Sequence, residues 1–143
     1  MKFSNIDQDH LIVKLESGDD IMSEIQDACK RNNIENGEIS GIGSVSNPTL
    51  AHYSKISRKF SETKLQGIYE VVSLLGNVFL QDKIIKVHLH TVVADDKLEV
   101  KAGHLVSGTC SATLELVITR INSTLDKVFD DEIGLKVWDI SAN

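Results

Sequence analysis

Apolar and polar positions alternate along most of this chain, and only one stretch breaks into helical spacing. Residues 10–16, "HLIVKLE", alternate as a first strand. After them Ile21, Met22, Ile25, Ala28 and Cys29 fall at i, i+1, i+4, i+7 and i+8, the single apolar stripe of an amphipathic helix. Ser17 is placed to cap it, with Asp20 three residues on completing a capping box. Lys30 and Arg31 suit the last turn, and the Asn pair that follows permits a stop.

Beyond the helix the pattern is strand-like almost to the end. Gly41 and Gly43 in "GEISGIGSVSN" lack the third glycine and following helix of a nucleotide fingerprint, so they predict a bend or bulge. Strands are expected over 49–56, over 67–80 with a bend at Gly76, and over 83–94. "KLEVKAGHL" and "SATLELVITRI" follow; in the second both odd and even positions are largely apolar, which predicts burial on two faces. "GLKVWDI", with Trp138, offers a last short strand. The expected fold class is α+β: a mostly antiparallel β-sheet with one amphipathic helix packed on it.

Length and composition fit that picture. The 143 residues suit a single domain over 1–143, and 41% hydrophobic with 25% charged residues supports a buried core. The N-terminal stretch has no apolar segment of the secretory kind, and no run approaches a membrane span. A cytoplasmic protein is expected, with Cys29 and Cys110 as small buried hydrophobes. The net charge of −6 is unfavourable for holding phosphates. The one basic cluster, Lys55, Arg58, Lys59 and Lys64, is expected on a solvent-facing hairpin, where a nucleic-acid patch is the alternative to plain decoration.

The chemistry concentrates in "VHLHTVVADDKLEVKAGHL". His88 and His90 lie two apart in a strand, so they share a face, about 6–7 Å apart. A two-residue turn at Asp95 and Asp96 would put His104 on the opposite face, with Lys97, Glu99 and Lys101 on the histidine face. A three-residue turn, Asp95 to Lys97, would set His88 opposite His104 and His90 opposite Ala102, with the charges facing away. Burial favours the second. Three clustered neutral imidazoles suit a divalent metal such as zinc, and three protein ligands with an open position is a catalytic arrangement. A metal-free polar network at a subunit interface is the competing reading. His10 is expected at the surface, and His52 is a candidate fourth ligand. Glu70, alone in an apolar run, is the candidate catalytic carboxylate; the alternative is an exposed sheet edge or a lysine partner. Glu115 is placed similarly.

These motifs, in this order, resemble the plants-and-prokaryotes-conserved (PPC) domain over nearly the whole chain. The family's aromatic-Glu-x-x-Ser-Leu-x-Gly run is matched by Tyr69, Glu70, Ser73, Leu74 and Gly76. Its His-x-His strand is matched by His88 and His90, and its Gly-Gly-His-Leu segment by Ala102, Gly103, His104 and Leu105. Alanine replaces the first glycine there, so any role needing positive φ at 102 is lost. The resemblance implies a homotrimer of compact α/β fold with a metal at the three histidines, and a site similar to that of acetolactate decarboxylase. If the protein is an enzyme, metal-dependent lyase or hydrolase-like chemistry on a small substrate is expected. The family's DNA-binding label implies a regulatory alternative, but this acidic chain has no Arg-Gly-Arg-Pro core.

Overall fold

The computed structural model describes residues 1–123 and 125–140. Among the described residues nine strands and one helix run in the order β1 (Lys2–Asn5), β2 (His10–Glu16), α1 (Ile21–Arg31), β3 (Gly37–Ser54), β4 (Lys59–Lys64), β5 (Ile68–Gln81), β6 (Ile84–Ala94), β7 (Val100–Arg120), β8 (Lys127–Asp130) and β9 (Leu135–Trp138). Every strand ladder is antiparallel. The main sheet has the order β1-β2-β7-β6-β5-β3-β4, and β3 also pairs with β7, which closes β3, β5, β6 and β7 into a ring. With one helix of 11 residues against so much sheet, the α+β label fits loosely. No described helix is long and apolar enough to cross a membrane.

The helix starts later than its first polar residues suggest. Asp20, not Ser17, is the N-cap, and its Oδ1 accepts a hydrogen bond from the Ser23 N–H at 2.9 Å. The preceding residues are tied to β7 instead: Gly18 N–H donates to the Cys110 carbonyl and Cys110 N–H to the Asp19 carbonyl. At the far end Asn33 takes φ 52°, the left-handed stop that the Asn pair permits. Ile21, Ile25, Ala28 and Cys29 are buried. They join Leu89 and Val93 of β6 and Leu114 of β7 in one core. Burial pushes the Cys29 thiol up to about 12.

Strand irregularities fall partly where expected. The β3–β5 ladder slips between Gly41 and Gly43, where β3 also runs so close to β7 that a Cβ on Gly43 would lie 2.2 Å from the Thr113 carbonyl oxygen. The expected bend at Gly76 is absent. Gly76 sits in register opposite Leu89, and the β5 bulge lies between Val71 and Ser73. "KLEVKAGHL" and "SATLELVITRI" contribute to one 21-residue strand, β7. The double-sided burial predicted for its second half is not found within the subunit: Leu114, Leu116 and Ile118 are buried, while Val117 is 38% exposed. The outer face keeps its apolar residues, and among the described residues nothing covers them fully. The basic cluster lies in the exposed β3–β4 hairpin, where Lys55 pairs with Glu132 at 3.2 Å.

Candidate metal centre

Alternation along β6 decides what the histidines face. Leu89, Thr91 and Val93 point into the core at 0–4% exposure. His88 and His90 therefore project from the other face of the sheet, away from the helix. The β6–β7 ladder pairs Ala94 with Val100, Val92 with Ala102 and His90 with His104. The connecting turn therefore runs from Asp95 to Glu99, two residues longer than the three-residue turn expected. The Asp95 carboxylate accepts from the N–H groups of Lys97 and Glu99, both at 2.9 Å, and Leu98 takes φ 62°. This side-chain-closed turn shifts the register by two, so His90 rather than His88 opposes His104. A shift of two leaves every side chain on its face, and the three imidazoles still meet.

Their rings pack with centroids 4.9 to 5.4 Å apart. One ring nitrogen from each lies within 4.8 Å of the others, and the Nε2 atoms of His88 and His90 are 3.2 Å apart. Tetrahedral zinc with Zn–N bonds of 2.0–2.1 Å sets its ligand nitrogens about 3.3 Å apart. His104 Nδ1 is buried with no hydrogen-bond partner among the described residues. Burial, then the charges of His104, Lys127 and His90, hold His88 down at about 4; burial and His90 lower His104. Both are thus neutral near pH 7, the form in which imidazole binds a metal. Spacing, an orphaned ring nitrogen and protonation state all fit a divalent ion.

The cluster opens onto a cavity of about 570 Å³, a volume typical of small-molecule sites. Tyr53 and Phe60 form an aromatic wall, with ring centroids 5.0 Å apart and Phe60 5.5 Å from His104. Phe79 and Val87 line another side, and Lys127, Leu135 and Lys136 of the β8–β9 hairpin also line it. That hairpin is docked by Tyr53 Oη donating to the Ile133 carbonyl at 2.7 Å, and by Asn36, which exchanges hydrogen bonds with the Leu125 backbone. His52 lines the cavity but stands outside the ligand cluster. His10 is at the surface against Asp7, 2.9 Å away.

Glu70 is not brought to the cluster. It opposes Ala94, four residues along β6 from His90, about 13 Å at the strand rise. Glu115 lies on the outer face, lining a shallow depression with Ile42, Leu75 and Val117. The acid missed by sequence reasoning is Glu38, which lines a cleft of about 390 Å³ with Asn77, His88 and His90. Cross-strand register puts Glu38 beside Asn77 and Asn77 beside His88.

The sequence profile of the Plants and Prokaryotes Conserved (PCC) domain matches residues 4–122. The chain belongs to this family. Three solved structures of similar fold stand beside it. A protein of Bacteroides thetaiotaomicron, provisionally described as DNA-binding, is 23% identical with a TM-score of 0.93, over 98% of this chain and 97% of its own. A PPC protein of Pyrococcus horikoshii is 25% identical with a TM-score of 0.85, over 96% and 93%. A protein of Archaeoglobus fulgidus described as metal-containing is 26% identical with a TM-score of 0.85, over 96% of each chain. More distantly, acetolactate decarboxylase of Bacillus subtilis shares the fold at 8% identity and a TM-score of 0.56, over 88% of this chain and 58% of its own. No curated protein matches the chain. Ala102 has no positive φ, so this PCC-domain chain carries alanine there without strain. The β8–β9 hairpin lies beyond the matched residues.

Proposed function

We propose that this PCC-domain protein is a cytoplasmic homotrimer that binds one divalent ion, zinc, per subunit through His88, His90 and His104. The ion serves a small anionic or carbonyl-containing molecule held in the adjoining cavity. The observation that carries this reading is the convergence of three ring nitrogens within 4.8 Å at the wall of a 570 Å³ cavity. The metal-containing relative from Archaeoglobus supports it by analogy. When bound, such an ion polarises an oxygen or acidifies a water at its open position.

The chain's own residues set the rest. His88 and His104 stay unprotonated at neutral pH because they are desolvated. Tyr53 and Phe60 offer aromatic faces on one side of the cavity. Within one subunit Glu38 is better placed than Glu70 to take or return a proton, since it shares a cleft with His88 and His90. The trimer is supported by the uncovered outer face, where Ile42 is 62% and Leu75 55% exposed.

Metal analysis of protein purified without an affinity tag tests the reading. One zinc per subunit is expected in wild type and in Glu70→Gln, and almost none in His88→Ala/His90→Ala. Metal absent from wild type, or equal in the double variant, would overturn it.

A further inference from the structure

The lining of the same cavity carries a second anchor. Lys127 Nζ sits 3.8 Å above the Phe79 ring and 5.6 Å from the Trp138 ring. Among the described residues no carboxylate forms an ion pair with it. Its neighbour Lys136 differs: that ammonium is balanced by Asp82 at 2.9 Å. Among the described residues no Asp or Glu lines the cavity. The side chain is half-buried, so its charge meets less competing water than a surface lysine does. An ammonium held over aromatic faces keeps its direction while its N–H donors remain open to a ligand.

Taken together with the metal reading above, on which it rests, we infer that Lys127 binds the carboxylate of a small monocarboxylic acid with an apolar, aryl-sized body. The body lies against Tyr53 and Phe60, in the same cavity as the histidines. One uncompensated ammonium with no arginine fork beside it suits a single carboxylate. The volume fits such a molecule, at about 570 Å³. Selectivity then comes from the β8–β9 hairpin, outside the residues that define the family.

The chain has one tryptophan, Trp138, close enough to Lys127 for its fluorescence to report binding. The probes are benzoate, phenylacetate and 3-phenylpropanoate, each against its neutral amide. They are titrated by fluorescence and calorimetry into zinc-loaded and chelator-stripped protein. Wild type should bind at least one acid about tenfold more tightly than its amide, the scale of one charge-assisted hydrogen bond. Lys127→Met and Lys127→Gln should abolish that preference with zinc content and melting temperature retained, and Lys127→Arg should keep it. A lysine with a packing role alone would lower the melting temperature and leave the acid-to-amide ratio unchanged, which would overturn the inference. So would a wild type that prefers none of the three acids. If zinc proves absent while the stripped protein still shows a Lys127-dependent preference, the metal reading falls and the carboxylate anchor stands.

Discussion

Gly76 offers the sharpest test of how the fold holds the histidines. It lies in β5 opposite Leu89, with no bend in the strand, so its smallness needs another cause. A Cβ built there would come 2.2 Å from the His88 carbonyl oxygen and 2.6 Å from Leu89 Cδ2, against ordinary contact from 3.4 Å upward. Relief needs β5 and β6 to part by about 1.2 Å, the difference between those oxygen distances. Hydrogen bonds near 2.9 Å would then stretch beyond useful length at this rung. Overpacking costs about 1–3 kcal/mol and each lost ladder bond about 1, so Gly76→Ala should destabilise by about 2–5 kcal/mol. Because the clash is with the backbone of His88 itself, metal affinity should also fall, by about 10–100-fold as for lost ligand support. Urea unfolding followed by Trp138 fluorescence and a zinc titration measure both. Gly103→Ala is the graded control: its Cβ would meet the Ala51 carbonyl oxygen at 2.9 Å, a shortfall less than half as large. A Gly76→Ala protein no less stable than Gly103→Ala, with wild-type zinc affinity, would refute the reasoning.

Two further outcomes are expected. His88 is held at about 4 against an ordinary 6.5, so the unfolded chain binds its proton first. The neutral His88 contribution is complete above pH 6.5 and is lost as pH falls toward 4. The full shift would correspond to about 3.4 kcal/mol, which solvent screening at a half-buried site reduces to about 1–2. Metal-free wild type should therefore lose that much more stability than His88→Asn between pH 7 and pH 4.5, and parallel urea midpoints would contradict it. On the outer face, Ile42→Asp should shift the protein from trimer to monomer in light scattering while zinc content persists; a wild type that is already monomeric removes the trimer from the proposal.

Period-two alternation alone made the shared face of the three histidines legible in the sequence, because parity survives an error of two in register. The register itself was not legible. It depends on Asp95 folding its carboxylate back onto two N–H groups, a choice the residue types allow but do not dictate. The distance of Glu70 from the cluster within one subunit was hidden for a similar reason. The β5–β6 hairpin turns at Asp82 and Lys83, both with positive φ and neither a glycine, so the usual turn signal is missing. Without that turn the partner of Glu70 could not be read, and the nearness of Glu38 rests on two ladders at once. Closure of the sheet through β3 and β7 joins residues far apart in sequence and leaves no local mark. The double-sided apolar pattern of the second half of β7 misled, because among the described residues only the face of Leu114, Leu116 and Ile118 is buried.

The cavity's two walls are encoded in separate stretches of the chain. The imidazoles lie within residues 4–122, aligned by ladders that tolerate little change, whereas Lys127 comes from a hairpin that follows them in the chain. Substitutions in the hairpin leave the imidazole ladder untouched. On the proposed reading, a change in the hairpin alters which molecule is recognised while the three histidines keep their ion.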